Sequence, residues 1–108
     1  MGTLNTEWEQ FDDYAKKVLI SPQIEQGINF LVQQVSMRPK TRAKEHSHEN
    51  QTEIFIGLKN SGYFLIDGEK KKITEGESLR VEPKVKHTVG NDGDQDFEFL
   101  AIKLDYEK

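Results

Sequence analysis

Three histidines and one glutamate of this 108-residue chain have the types and spacing of a metal-ligand set. His46 and His48 are separated by one residue, so on a strand their imidazoles point to the same face. Glu53 follows a polar, turn-prone segment that can reset the strand phase, so its carboxylate can meet the two imidazoles. His87 lies near the start of a later strand-like segment that could close the set. Together the four residues predict one divalent metal site.

Each part of this set, taken singly, also has an ordinary explanation. Paired surface histidines occur without any ligand, and a lone downstream histidine is more often a satisfied core or surface residue. The metal-site hypothesis depends on the combination, because every histidine of the chain falls into one set with a carboxylate between. Structural zinc sites are usually four-coordinate and closed, whereas this set on an octahedral ion leaves two positions open. Iron, manganese, nickel, cobalt, copper and zinc are all candidate ions.

The segments around these residues carry the alternation of apolar and polar side chains that is typical of β-strands. Residue pairs that tolerate positive φ, such as Asp67-Gly68, separate the segments and predict hairpin turns. Many short strands at close spacing indicate a sandwich or barrel, so the predicted fold class is all-β. The strand candidates are residues 28–37, 53–58, 63–66, 71–73, 79–81, 87–89 and 97–104.

The first 20 residues allow two interpretations. Thr6 and Glu9 have the spacing of a capping box, and the apolar residues that follow fall near helical spacing, which predicts a short helix. Lys17–Ile20 fits a strand equally well. We therefore divide the chain into an extension over residues 1–27, which packs on the barrel, and one barrel domain over residues 28–108.

Composition and charge exclude several classes of protein. The chain has no cysteine, which excludes disulfide scaffolds and thiol nucleophiles. Its net charge is −4, and its basic cluster Lys70-Lys71-Lys72 is interpreted as a solvated strand, so no nucleic-acid partner is expected. The longest apolar run, Ile54–Leu58, is far too short to span a membrane, and the acidic N-terminus does not match a signal peptide. We expect a cytoplasmic protein without a membrane partner.

The spacing of these residues resembles that of the cupins, whose sequences carry two short motifs. The centre of the first motif is matched by His46-Ser47-His48 and, after four residues, Glu53. Most of the second motif is matched by Gly76, Pro83, His87 and Asn91. The resemblance covers residues 28–104 and implies a single-domain jelly-roll β-barrel that binds its metal through His46, His48, Glu53 and His87.

The departures from the family pattern lie on turns. Lys40 and Asn60 stand where the first motif has Gly, and Val85 stands where the second has Gly. Asn tolerates the left-handed backbone conformation that Gly would supply there. None of these departures removes a ligand.

The resemblance implies either a metal-dependent enzyme or a binding module, and the open coordination positions favour the enzyme, a dioxygenase, isomerase or lyase that acts on a small polar molecule. Glu53 is the candidate catalytic residue, either as a bound ligand or as a base. The alternative is a non-catalytic cupin that binds a metal or metabolite as a sensor or storage module, because fold and ligands do not choose between the two. The resemblance also implies a homodimer, with Trp8 and Phe11 as candidate interface residues.

Two further groups of residues complete the predicted site. Phe55 shares the face of Glu53 on a regular strand and should line the pocket. The other candidate pocket residues are Tyr63, Gln34, Arg38 and Arg80. Candidate partners for the imidazole N–H groups are Gln51, Thr88 and Asn91.

Overall fold

The computed structural model describes residues 7–25 and 28–106, and in this part of the chain the regular structure is entirely β. The prediction of an all-β fold is confirmed. Within the same residues we find no helix with the length and hydropathy of a membrane span. The strands are β1 Glu9–Gln10, β2 Tyr14–Glu25, β3 Ile28–Met37, β4 Thr41–Arg42, β5 Gln51–Lys59, β6 Gly62–Ile66, β7 Glu69–Ile73, β8 Ser78–Val81, β9 His87–Asn91 and β10 Phe97–Tyr106.

The strands form two antiparallel sheets with jelly-roll connections. The six-stranded sheet has the order β1-β2-β3-β10-β5-β8, and the four-stranded sheet has the order β4-β9-β6-β7. Strands that are distant in sequence become neighbours, because β10 lies between β3 and β5. This placement brings β5, which carries Glu53, onto the same sheet as β3 and β10, and the opposite sheet supplies His87 through β9.

A cluster of phenylalanines joins the two sheets. Phe64 of β6 is fully buried, and its ring stacks on Phe55 of β5 at a centroid distance of 4.4 Å. Phe97 and Phe99 of β10 contact Phe64 edge-on at 6.3 and 5.3 Å. Such pairs stabilise a core beyond the burial of their area. The small chain therefore builds its core from aromatic rings, and this core supports one side of the candidate site.

The N-terminal segment is extended, so the helical interpretation is wrong. β2 pairs with β3 from Tyr14 opposite Met37 to Glu25 opposite Ile28, with two irregularities on the way. Pairing with an existing sheet overrides a local capping signal, because helix propensity is a weak prior. The boundary between residues 27 and 28 stays a prediction.

The candidate interface residues Trp8 and Phe11 are each 37% exposed. Thr6, which belongs to the capping-box signal, lies outside the described residues. The homodimer itself stays a prediction.

Several turns depend on residues in the left-handed region. Asp67 and Gly68 have φ of 50° and 81° and connect β6 to β7 as the sequence predicted. Asn60 has φ of 60°, which confirms the expectation that it replaces Gly there. Lys40 and Lys84 also have positive φ, of 59° and 71°. Two of the three residues that stand where the family motifs have Gly, Lys40 and Asn60, thus adopt the left-handed conformation, whereas Val85 does not.

Candidate metal centre

Four side chains converge where the two sheets approach each other. Glu53 lies near the start of β5, and His87 is the first residue of β9. His46 is held against His87 by a β-bridge, in which their backbone N–H groups and carbonyls exchange hydrogen bonds of 3.0 and 2.9 Å. His48 follows on the same segment, and its carbonyl accepts a hydrogen bond from the Lys84 N–H. Local backbone pairing therefore positions the four side chains.

The ligand atoms of this cluster face one another. The Oε1 atom of Glu53 lies 2.7 Å from His87 Nε2, 3.4 Å from His48 Nε2 and 3.7 Å from His46 Nε2. All four ligand atoms lie within 4.8 Å of one another. The structure thus brings together the four residues that the sequence predicted as metal ligands.

Backbone carbonyls orient two of the imidazoles. His46 Nδ1 lies 3.1 Å from the Lys44 carbonyl, and His87 Nδ1 lies 2.9 Å from the Val85 carbonyl. A carbonyl only accepts, so each Nδ1 donates its proton, which leaves Nε2 directed at the cluster. Val85, which stands where the family motif has Gly, therefore orients the His87 imidazole through its backbone carbonyl.

The side chains expected to hold the imidazole N–H groups bond elsewhere. Thr88 Oγ1 donates to the Ala43 carbonyl, and Asn91 Nδ2 donates to the Met37 carbonyl. Gln51 Nε2 donates to a carboxylate of β10. Sequence spacing could not reveal this, because the actual partners are main-chain atoms that every residue carries.

The electrostatics of the cluster keep Glu53 ionised. Burial is the largest effect and acts to raise the pKa of Glu53, but the imidazoles of His46 and His87 outweigh it and lower the pKa to about 2. The same carboxylate raises the pKa of His46. Burial lowers the pKa of His48, which favours its neutral, metal-binding form.

The residues present fit a divalent transition-metal ion. His48 Nε2 is buried and makes no hydrogen bond within the described residues. A buried nitrogen without a partner is unusual in a folded protein. Here it points at the same carboxylate oxygen as two other imidazoles, and mixed imidazole and carboxylate donors suit the later first-row metals.

The cluster opens into a cavity of about 700 Å³ between the sheets. Glu53, His46 and His87 form part of its wall. The remaining wall is mostly apolar and aromatic, which is typical of a small-molecule site. Its inner lining includes Phe55, Phe64, Phe99, Val35, Met37, Ala101, Gln33 and Lys103.

Phe55 lines this cavity as predicted, whereas Gln34 does not. On β3 the neighbouring residues Gln33 and Val35 line the cavity, so Gln34 lies on the opposite face, where its Nε2 donates to Glu98 Oε1 at 3.0 Å. Successive side chains of a strand alternate between faces, and the sequence prediction of Gln34 was displaced by one residue.

The other three predicted pocket residues also lie away from the cavity. The ring of Tyr63 is buried against Gly90 within the four-stranded sheet. The guanidinium of Arg38 donates to the Phe11 carbonyl and so anchors the N-terminal segment. Arg80 is exposed and bonds to a carboxylate two residues along the chain. None of these three side chains lines the cavity.

Gln33 and Lys103 are among the cavity residues that the sequence analysis missed. Gln33, Val35 and Met37 are alternate residues of β3 and are all buried on the same face. The alternation of apolar and polar residues along this strand could therefore have identified Gln33 from the sequence. Lys103 lies opposite Glu53 in the register of β10 and β5, which only the strand pairing reveals.

The comparison with known proteins agrees with this architecture. The family model of the cupin domain matches residues 33–103. The chain belongs to the cupin family. This cupin is 24% identical over 107 residues to an uncharacterized protein of Methanocaldococcus jannaschii, a match that covers 94% of this chain and 86% of that protein.

Two further similar proteins extend the comparison. Over 72 residues the cupin is 29% identical to an oxalate-binding protein of Thermotoga maritima. This match covers 67% of this chain and 60% of that protein. The structure of KdgF from Halomonas sp. superposes with a TM-score of 0.78 at 13% identity, covering 100% of this chain and 97% of that one. The latter similarity shows the fold alone.

Proposed function

We propose that this cupin binds one divalent transition-metal ion through His46, His48, Glu53 and His87 and is a metal-dependent enzyme acting on a small polar molecule. The observation that carries the proposal is the convergence of three imidazole nitrogens and one carboxylate oxygen within 4.8 Å at the wall of a cavity. A purely structural site has no need of such an opening.

The chain's own residues prepare this site for chemistry. A divalent ion held there would supply Lewis-acid or oxygen-activating chemistry, as a dioxygenase, isomerase or lyase requires. The carbonyls of Lys44 and Val85 keep two imidazoles in the ligating tautomer. Glu53, whose pKa is about 2, stays anionic and is available as a ligand, whereas a carboxylate with so low a pKa is a weak base. The rings of Phe55, Phe64 and Phe99 line the cavity beside these ligands.

The second candidate function is non-catalytic binding. It is favoured by the similarity to a Thermotoga maritima protein named for oxalate binding, although the match covers 60% of that protein. The same cavity and donors would serve a sensor or storage module that holds a metal or a metabolite. We further propose a small-molecule partner, a homodimer and a cytoplasmic location.

Reconstitution distinguishes the two functions. Metal-free protein is loaded anaerobically with each of the candidate ions, and turnover and oxygen uptake are followed with diketones, thiols, sugar derivatives and small acids. Metal-dependent conversion of one compound, absent in His48→Ala, supports the enzyme. Tight binding of a compound without metal-dependent conversion of it supports the sensor or storage function instead.

A further inference from the structure

Lys103 presents an unpaired cation to the cavity. It lies opposite Glu53 in the pairing of β10 with β5, and its half-buried side chain lines the cavity. Side chains at directly opposed positions are neighbours, yet in the described chain the ammonium forms no direct ion pair and no hydrogen bond, and its charge acts on Glu53 only at longer range, where it lowers the pKa of that carboxyl. A partly buried charge without a hydrogen-bonded partner is unfavourable. The position is therefore suited to an anion that enters the cavity.

Gln33 is a second polar group without a partner at the same cavity. Only 5% of the residue is exposed, and it lines the cavity. Its side-chain amide makes no hydrogen bond within residues 7–25 and 28–106. It pairs with Ala101 in the register of β3 and β10, two positions from Lys103 on the same face. The small side chain of Ala101 lines the same cavity. A carboxylate there would accept from both groups.

From these observations we infer that Gln33 and Lys103 form a carboxylate subsite beside the metal ligands and that the substrate is a small dicarboxylic acid. This inference rests on the proposed function and names its substrate class. A divalent ion, the Glu53 carboxylate and the Lys103 ammonium together carry a charge of +2 when the imidazoles are neutral, and the other charged residues of the wall, Asp12, Asp13, Lys16, Lys44 and Glu45, add −1. The loaded cavity is therefore positive, and a dicarboxylate can place one carboxylate at the metal ligands and the other at Gln33 and Lys103.

The test measures binding rather than activity. Calorimetry gives the Kd of malonate, of uncharged malonamide and of inorganic phosphate for the manganese-loaded and the metal-free full-length protein. The variants are Lys103→Met, Lys103→Arg and Gln33→Leu, and Lys72→Met on the exposed strand β7 is the matched control. Metal content and circular dichroism are recorded for each variant, so that a change in loading or folding is separated from a change in the subsite.

Lys103→Met and Gln33→Leu should each weaken malonate binding by about tenfold or more, because each removes a hydrogen bond to a charged group. Lys103→Arg should retain most of the affinity, and Lys72→Met should retain all of it. Equal malonate affinity in Lys103→Met and wild type overturns the subsite. Malonamide or phosphate binding as tight as malonate overturns the substrate class.

The same measurements separate this inference from the proposed function. A wild-type protein that takes up no metal defeats the proposed function, and the metal-free comparison of wild type with Lys103→Met then decides the subsite. A protein that loads metal normally but shows no effect at either Gln33 or Lys103 leaves the metal centre standing and removes the subsite. If Lys103→Met fails to fold, the same comparison is made between Gln33→Leu and wild type.

Discussion

Glu53 is the centre of the metal-free cluster, and its replacement by Gln should change both the stability and its dependence on pH. The side chain is 3% exposed, and its carboxylate lies within 3.7 Å of three imidazole nitrogens. The surrounding imidazoles lower its pKa from 4.5 to about 2 despite the opposing effect of burial. At about 1.4 kcal/mol per pH unit, this difference corresponds to roughly 3 kcal/mol of unfolding free energy at neutral pH.

The sign follows from the direction of the shift. A carboxyl whose pKa is lower in the folded state binds its proton more readily when the chain unfolds, so it stabilises the fold above pH 4.5. This contribution is lost as the pH falls from about 4.5 toward 2. Glu53→Gln cannot ionise. Metal-free Glu53→Gln should therefore be less stable than wild type by roughly 3 kcal/mol at pH 7, and the difference should shrink toward zero near pH 2.

Urea unfolding of chelator-treated wild type and Glu53→Gln at pH 7, 5, 4 and 3 measures this difference. Other carboxyl groups also titrate in this range, but they are common to both proteins and cancel in the comparison. Glu49→Gln, an exposed neighbour outside the cluster, is the control and should show no such dependence. A Glu53→Gln protein as stable as wild type at pH 7, or a difference that does not change with pH, would refute the electrostatic reasoning.

Three further predictions concern the core, a close backbone contact and the ligands. Phe64→Ala should lower the unfolding free energy by about 3–5 kcal/mol, because the ring is fully buried between the sheets, whereas the exposed Leu58→Ala should cost far less; urea unfolding compares the two. Gly57→Ala should lower the free energy of unfolding by about 1–3 kcal/mol, because the added methyl would overlap the Thr74 carbonyl. An unchanged melting temperature would contradict this. Metal affinity should fall by about tenfold for each pH unit below the pKa of His46, because the metal must displace the proton from that imidazole. Glu53 raises this pKa above 6.5. Calorimetry from pH 8 to pH 5 that shows a constant Kd for the metal would contradict this prediction.

The sequence was sufficient where the relevant property is local. The spacing of His46, His48, Glu53 and His87, which matches the two cupin motifs, predicted the cluster, although the strand expected at His46 and His48 is only an isolated β-bridge at His46. The turn at Asp67-Gly68 was predicted because few residues tolerate the left-handed region that it requires.

The sequence was insufficient where tertiary pairing decides. A shift of one residue exchanges the faces of a strand, and for this reason Gln34 was predicted in place of Gln33. Lys103 could not be found, because its position opposite Glu53 depends on the register between strands far apart in the chain. The N-terminal capping signal failed because β2 gains a complete strand partner in β3.

The central claim is that His46, His48, Glu53 and His87 bind one metal ion, and elemental analysis tests it most directly. Untagged wild type, His48→Ala and the control Glu49→Ala are loaded with manganese, desalted and measured by inductively coupled plasma mass spectrometry, with circular dichroism to verify folding. We predict about one ion per chain in wild type and Glu49→Ala and, in a folded His48→Ala, less than about a tenth of that, because loss of one of four ligands weakens binding severely. Equal metal in wild type and folded His48→Ala would contradict the account.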